Sequence, residues 1–201
     1  KEKVKKIFVF SLLISIPITF LFDLIVAFGD NGWAITKSIL PYSLFGVIYI
    51  EDFLWTFLVP FCIIIVYEHF FKKKFEPSLS KRVKIMNLIF YPLTFIVILI
   101  FIFNNSLLKI PYAYLWMGIL IWVIPILLFL AFHQSFFKSF FKTSIYFFYL
   151  YLIYQLVALK EGLWTFPGEH YIGFVHLLGL QFPLEEFIFI ICLGGFACLS
   201  Y

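Results

Sequence analysis

The sequence predicts an all-α integral membrane protein, with about six transmembrane helices packed in a bundle and built from a parallel internal repeat. Composition is the first reason, because 64% of the 201 residues are hydrophobic and only 13% are charged. The mean hydropathy of +1.05 is the second. The third is that apolar runs of about 20 residues, the length that crosses a bilayer, recur along the chain. Soluble domains do not have this composition, so we expect one polytopic membrane domain over residues 1–201.

Six apolar runs are separated by short polar or basic segments. The predicted spans are Ile7–Phe28, Tyr42–Phe71, Asn87–Phe103, Tyr112–Phe132, Phe140–Leu159 and Ile172–Tyr201. The second and sixth runs exceed the roughly 20 residues that a bilayer requires, so we expect these helices to tilt or to protrude. The loops 29–41 and 160–171 contain Gly, Pro, Trp and polar residues, which is typical of short turns or interfacial segments.

The basic residues alternate between the two sides of this arrangement. Twelve of the fifteen Lys and Arg residues precede the first span, follow the second or follow the fourth, and the others are Lys37, Lys109 and Lys160. The positive-inside rule therefore predicts that both termini are cytoplasmic. The net charge of +4 is a topology signal and does not indicate a nucleic-acid surface, because the basic residues lie in short loops at membrane boundaries.

An acidic motif occurs twice inside these apolar runs. Each copy has two acidic residues followed by Phe, and the copies are Glu51-Asp52-Phe53 and Glu185-Glu186-Phe187. Each copy also has a Trp upstream and a Tyr sixteen residues after its first Glu. These residues are Trp33 and Tyr67 in the first copy, and Trp164 and Tyr201 in the second.

The spacing of these motifs predicts the parallel internal repeat. Copy one covers about 7–71, connecting helices cover about 87–132, and copy two covers about 140–201. In both copies the chain crosses outward and returns, so the copies share one orientation. Asp23 in the first copy corresponds to Gln155 in the second. If each original unit had three helices, one would be missing before Lys1, which would agree with a first residue that is Lys and not Met.

Carboxylates at membrane depth are costly and are commonly functional. Neighbours on a helix point about 100° apart, so we expect one acid of each pair to face the bundle interior. By register Glu51 and Glu185 are equivalent, and pseudo-twofold packing is expected to bring them together. Two desolvated carboxyls in contact do not both ionise, which makes one a proton donor and the other a base. The candidate catalytic residues are Glu51, Asp52, Glu185 and Glu186.

Two other interpretations of the acids stay open. In the first, they are structural and hydrogen-bond to backbone, Trp, Tyr or His donors, in a non-catalytic membrane subunit. In the second, they line an ion or proton pathway in a proton-linked transporter or channel, although the connecting helices carry almost no polar interior residues. Every basic residue lies at a helix end, which favours hydrogen bonds over buried ion pairs.

Aromatic residues surround the acidic motifs, and most of the 30 Phe, 12 Tyr and 5 Trp are expected to face lipid or the membrane interface. Trp55 lies four residues after Glu51 and shares its helix face, where a ring can stabilise a carbocation by about 2 kcal/mol or more. Asp23 is predicted at a similar depth, where it either orients an acid or Trp33 or is an interfacial acid. The candidate substrate-binding residues are Asp23, Trp33, Trp55, Trp164, Phe53, Phe187, Tyr67 and Tyr201.

The sequence predicts neither a metal nor a cofactor. No His has a partner at i+4, and the three Cys have no metal-ligand spacing. A Gly-rich phosphate loop and an Asp-rich diphosphate motif are both missing from the sequence.

The second acidic motif resembles a known family in its wider context. Pro183–Phe187, preceded by Gly162–Phe166 and followed by Tyr201, is similar to the small integral-membrane lycopene cyclase domain found in bacteria, archaea and fungi. The first copy is a weaker match, because Tyr49-Ile50 stands where the second copy has Pro before its acids. As two repeats, the resemblance covers nearly the whole chain.

The resemblance implies an enzyme, an intramolecular lyase or isomerase like lycopene β-cyclase, that uses no flavin and causes no net redox change. In such an enzyme an acid protonates a terminal alkene, the ring closes through a carbocation, and a base removes a proton. The implied partners are a lipophilic carotenoid or other isoprenoid substrate and the lipid bilayer, and a homo- or heterodimer stays open. By equivalence Glu51, Asp52, Glu185 and Glu186 form the acid/base set, with the proton donor undecided.

Overall fold

The computed structural model describes residues 2–40, 42–71, 79–132 and 137–195. Within these ranges the α-helices are α1 (Glu2–Phe22), α2 (Ile50–Val66), α3 (Leu79–Asn104), α4 (Ala113–Gly118), α5 (Ile124–Phe132) and α6 (Phe137–Glu161). Short π-helical segments extend or join them at Asp23–Gly29, Tyr67–Phe71, Ile119–Val123 and Glu186–Cys192. A 3-10 turn follows α3 at Asn105–Leu108.

Five helical units in the described part of the chain are long and apolar enough to cross a membrane. They are Glu2–Gly29, Ile50–Phe70, Leu88–Leu108, Ala113–Ala131 and Phe137–Glu161. The prediction of a helical membrane protein is confirmed, and five of the six predicted spans have a counterpart. Large apolar side chains such as Leu88 (74% exposed) and Phe103 (82% exposed) lie on the outside of the bundle, as expected for surfaces that face lipid.

The second and sixth predicted spans begin too early, which is a correction to the sequence analysis. A β-hairpin precedes each acidic motif: β2 (Ser43–Leu44) pairs with β3 (Ile48–Tyr49), and β5 (Phe174–Leu177) pairs with β6 (Leu180–Pro183). Helix α2 therefore begins at Ile50 instead of Tyr42. The last helical segment begins at residue 184 and is described as far as residue 195.

Left-handed backbone at the hairpin turns explains why these apolar runs are not helical throughout. Phe45 and Gly46 have φ of 58° and 72°, and Leu178 and Gly179 have φ of 52° and 76°. A right-handed helix cannot contain such residues. Positive φ at both central residues is the geometry of the two-residue type I′ turn, which suits Leu178-Gly179.

The two predicted turn segments on the outer side pair with each other. Strand β1 (Ala34–Ile35) is antiparallel to β4 (Trp164–Thr165). The pairing continues beyond the strands, because the N–H groups of Thr36 and Lys37 donate to Leu163 O at 2.9 and 3.2 Å. This contact joins the loop after α1 to the loop after α6, so the two acidic motifs are held at the same end of the bundle.

Close helix packing positions the elements that carry the two acidic motifs. Helices α1 and α2 meet at a hydrogen bond of 2.6 Å between the hydroxyls of Thr19 and Thr56. Helix α4 approaches the last helical segment at Gly118, where a Cβ would lie 2.0 Å from Phe189 Cδ2. Only glycine therefore fits this crossing, which positions the second acidic motif beside α4.

Candidate functional site

The candidate site is built from four elements that meet at the end of the bundle carrying the paired loops. Asp23 lies at the end of α1, Asp52 in the first turn of α2, Tyr114 in the first turn of α4, and Glu186 in the last helical segment. Asp23 and Glu186 each begin a π-helical segment. Such segments are rare inside helices and are frequent at functional sites.

The first part of the site is a contact between two carboxyl groups. Asp23 is only 2% exposed, and its carboxyl lies within hydrogen-bonding reach of the Asp52 carboxyl. Asp52 Oδ2 also accepts a hydrogen bond of 3.2 Å from the N–H of Tyr49, while Asp23 Oδ2 is buried without a hydrogen-bond partner. Two carboxyls in contact cannot both be ionised at low cost, so the couple is suited to hold a proton.

The second part of the site is a carboxyl bound to a phenol. Glu186 is 8% exposed and Tyr114 is 1% exposed, and the Tyr114 hydroxyl donates a hydrogen bond to Glu186 Oε2. Within the part of the chain that the structure describes, this neutral phenol is the hydrogen-bond donor that orients the largely desolvated Glu186 carboxyl.

An aromatic cluster of Phe22, Trp33, Tyr114 and Trp122 surrounds this phenol. Phe22 stacks on Trp33 with ring centroids 5.6 Å apart, and Trp33 meets Tyr114 edge-on at 5.8 Å. Trp122 meets Phe22 edge-on at 5.0 Å. The cluster packs around the ring of the phenol that contacts Glu186, so this carboxyl lies in an apolar, aromatic part of the bundle.

Tyr154 of α6 links the two parts of the site. Its hydroxyl lies close enough to the carboxyls of both Asp52 and Glu186 to interact electrostatically with each of them. Its ring lies 5.3 Å from that of Trp164 in β4. Tyr154 is therefore within electrostatic range of both carboxyl sites.

The first glutamate of each pair accepts hydrogen bonds from the loop that precedes its hairpin. Glu51 Oε1 accepts hydrogen bonds from Ser38 Oγ at 2.7 Å and from the N–H groups of Ile39 and Leu40, each at 2.8 Å. Glu185 Oε1 accepts a hydrogen bond of 2.7 Å from the N–H of Ile172. Each glutamate thus fastens the segment eleven to thirteen residues before it.

The prediction that Glu51 and Glu185 are brought together is wrong. Each has one oxygen committed to its own loop, and the other oxygen of each is buried without a hydrogen-bond partner. The carboxyls that do meet are those of Asp23 and Asp52. The physical reason is the 100° step between helical neighbours, which turns Glu51 to the loop and Asp52 to α1.

Three of the predicted substrate-binding aromatics lie beside the site. Trp33 belongs to the aromatic cluster, Trp164 packs on Tyr154, and Phe53 meets Phe20 edge-on at 5.6 Å. Asp23, which was predicted as a substrate-binding residue that orients an acid or Trp33, or else as an interfacial acid, is itself half of the carboxyl couple.

The other predicted aromatics lie farther out. Phe187 packs on Phe148 at 6.1 Å, and Trp55 is half-buried against the core. Tyr67 is buried against Phe140, and it follows Asp52 by fifteen residues, which is about 22 Å of helix. Tyr67 is therefore not in contact with the carboxyls. Tyr201 lies outside the described residues.

Sequence reasoning missed Tyr114 and also a polar clasp formed by Asp30, His170 and Tyr171. Asp30 accepts hydrogen bonds from Ala113 N at 3.1 Å and from His170 Nδ1 at 2.7 Å. The Tyr171 hydroxyl donates to Gly32 O at 2.7 Å, and burial raises the pKa of Tyr171 to about 12, so it remains a neutral donor. These contacts join residues far apart in sequence, and no local spacing signals them.

A surface groove adjoins the second acidic pair. It has a volume of about 410 Å³ and is lined by Tyr112, Leu115, Trp116, Tyr171 and Ile172. This volume is within the roughly 300–1,000 Å³ of small-molecule sites. Ile172 lines the groove, and its N–H donates a hydrogen bond to Glu185. The groove is therefore connected to the second acidic pair through this residue.

Neither metal-site geometry nor comparison with known proteins assigns a role to these residues. Among the residues described in the structure, no three His, Cys, Asp or Glu side chains converge in a way that would hold a metal ion. Searches with family models, against curated proteins and against solved structures each returned no match to this chain.

Proposed function

We propose that the protein is a membrane carotenoid cyclase of the lycopene type, which closes a ring at the end of a linear isoprenoid without net redox change. The observation that carries the proposal is the pair of neighbouring carboxyl sites, Asp23 with Asp52 and Glu186 with Tyr114, buried at one end of a membrane bundle. Buried carboxylates in apolar surroundings are the groups that divide acid and base roles near neutral pH.

The chemistry requires an acid, a base and a dry apolar space between them. An acid protonates the terminal alkene, the carbon chain closes through a carbocation, and a base removes a ring proton to leave a double bond. The product is an isomer of the substrate, so no cofactor is consumed. The aromatic cluster beside Glu186 supports the cationic stage, since each well-placed desolvated ring contributes about 2 kcal/mol or more.

The proposal also covers the arrangement in the membrane. We place both termini on the cytoplasmic side and the carboxyl sites toward the outer leaflet, on the basis of the basic-residue distribution. We interpret the two hairpins followed by acidic helices as copies of one parallel unit. A hydrophobic substrate enters laterally from the bilayer. A homo- or heterodimer remains part of the proposal because the resembling family includes split subunits.

The test is expression in a bacterial host that accumulates lycopene, with pigments resolved by chromatography and mass. Asp52→Asn and Glu186→Gln remove the two interior carboxyls with little change in shape. Glu161→Gln is the matched control, because Glu161 is an exposed acid at the end of α6 whose backbone carbonyl, and not its side chain, accepts a hydrogen bond from Lys37. Membrane level and thermal unfolding in detergent are measured for every variant.

The expected result is new pigments of unchanged mass and shifted absorption in the wild type and in Glu161→Gln, and their loss in both interior variants. If folded wild-type protein leaves lycopene unchanged, lycopene is the wrong substrate, and shorter linear isoprenoids are then supplied. If these are also unconverted, the cyclase proposal fails and the structural and proton-pathway interpretations of the acids gain support.

A further inference from the structure

The two carboxyl sites differ in their hydrogen-bonding partners, and the difference indicates how they would share one reaction. We propose that the Asp23–Asp52 couple is the proton donor and that Glu186, oriented by Tyr114, is the proton acceptor. This inference rests on the proposed function. Register and resemblance left the donor and acceptor undecided, whereas the contacts of the two sites distinguish them.

The donor assignment follows from the surroundings of Asp23. Because its carboxyl contacts that of Asp52, the couple holds at least one proton at modest energetic cost. The N–H of Tyr49 donates to Asp52 and favours the charged form there. Asp23 is 2% exposed, and its Oδ2 has no partner. The proton is therefore assigned to Asp23, the more buried member of the couple.

The acceptor assignment follows from the surroundings of Glu186. A phenol facing a carboxylate oxygen acts as a donor, and a donated hydrogen bond favours the charged form of the carboxyl. Neighbouring rings hold the Tyr114 side chain in place, since its ring centroid lies 5.8 Å from that of Trp33 and 6.2 Å from that of Phe22. Tyr114 is thus a positioning residue that presents Glu186 as a base.

The proton balance of the cycle is complete with residues of this chain. The O–H bond of Asp23 breaks and a C–H bond forms at the terminal alkene. A second alkene then gives its electron pair to this cation as the ring C–C bond forms, which moves the positive charge to a ring carbon. A ring C–H bond next to that carbon breaks, Glu186 gains the proton, and the electron pair of the broken bond becomes the ring double bond. The proton then returns to the couple.

Product identity separates a missing acid from a missing base. Without the acid no cation forms, so Asp23→Asn leaves substrate unreacted, with product lowered by about 10²-fold or more. Without the base the cation still forms. Glu186→Gln then yields cation-derived products, either an alcohol heavier by one water, with release of a proton, or ring double-bond isomers. Tyr114→Phe should give the same aberrant products as Glu186→Gln. It should also lower the yield of the normal product about tenfold or more, because Glu186 loses a hydrogen bond to its charged form.

The experiment compares these variants in the lycopene-accumulating host, with Tyr149→Phe as the control because Tyr149 is a tyrosine 60% exposed on the outside of α6. The expected pattern is unreacted substrate in Asp23→Asn and aberrant products in Glu186→Gln and Tyr114→Phe. If Asp23→Asn does not fold, Asp52→Asn is used in its place, because Asp52 is the half-buried member of the same couple. The expected result is again unreacted substrate.

The outcomes distinguish this inference from the function on which it rests. Absence of any ring product from the wild type, with lycopene or shorter isoprenoids, overturns the function and the inference together. Wild-type cyclisation with the opposite pattern, or with the same product pattern in the Asp23 and Glu186 variants, overturns only the division of roles. A Tyr114→Phe product profile equal to wild type overturns the positioning role of that phenol.

Discussion

The two acidic motifs have similar sequences and similar local structures, yet they make different sites. In each motif a hairpin leads into a helix, and the first glutamate accepts a hydrogen bond from a loop N–H. The second acid differs, because Asp52 meets another carboxyl and Glu186 meets a phenol. The comparison teaches that the motif fixes where the acids lie, while partners from other helices decide what each acid can do.

The largest expected effect is a difference in cyclisation activity between variants of the two acids in the first motif. Asp52→Asn is predicted to lower cyclisation by about 10²–10⁴-fold, the usual contribution of a general acid or base. Glu51→Gln keeps the oxygen that accepts from Ile39 and Leu40, so its activity should stay within about tenfold of wild type. Pigment yield per unit of folded protein is the measurement. Equal losses in both variants would contradict the assignment of Glu51 to the loop.

The second prediction compares the two loop-binding glutamates by stability. Glu185→Ala should lower the free energy of unfolding by about 1–3 kcal/mol, because the Glu185 side chain is fully buried and its part-buried hydrogen bond with the Ile172 N–H is lost. Glu51→Ala loses three donors, but the two backbone donors, Ile39 and Leu40, are exposed and water replaces the carboxylate. Glu51→Ala should therefore lower the free energy of unfolding by less than Glu185→Ala does. Thermal unfolding in detergent measures both.

Amide hydrogen exchange provides the control for this pair. Exchange at Ile39 and Leu40 should accelerate in Glu51→Ala while the Ile172 amide is unchanged, and the reverse should hold in Glu185→Ala. A larger loss of global stability in Glu51→Ala than in Glu185→Ala would show that burial is not what distinguishes the two glutamates.

The smallest expected effect concerns Gln155, the predicted counterpart of Asp23 in the second motif. Gln155 is 2% exposed, and its Nε2 has no hydrogen-bond partner. Gln155→Met removes an unpaired buried amide group, so activity should persist and stability should change by only about 1 kcal/mol. The same assay on Asp23→Asn should give almost no product. Loss of activity in Gln155→Met would mean that the second site also needs a polar residue at this position.

Much of the fold is readable from the sequence because bilayer-spanning helices need long apolar runs. The hairpins are not readable in the same way, since their strands are as apolar as the helices they precede. Gly46 and Gly179, placed five and six residues before the acids, were the available signals of a turn. Hydropathy averaged over a span hides such single residues.

The site was predictable in its acids and not in their partners. The helical step predicts that one acid of each pair points inward, but it does not say which, and in the second pair Glu185 and Glu186 are both buried. Tyr114 lies 72 residues from Glu186, and Asp30 lies 140 residues from His170. Such contacts depend on how the helices assemble, so a single sequence carries no local pattern for them.

The most direct test of the central claim is a conversion assay with purified protein and lycopene in deuterated water, with no added cofactor. Proton donation from an exchangeable carboxyl predicts a cyclic product that is isomeric with lycopene except for one deuterium per ring closed, and no such product from Asp23→Asn. A cyclic product without deuterium, or a product that forms only when a redox cofactor is supplied, would contradict the account.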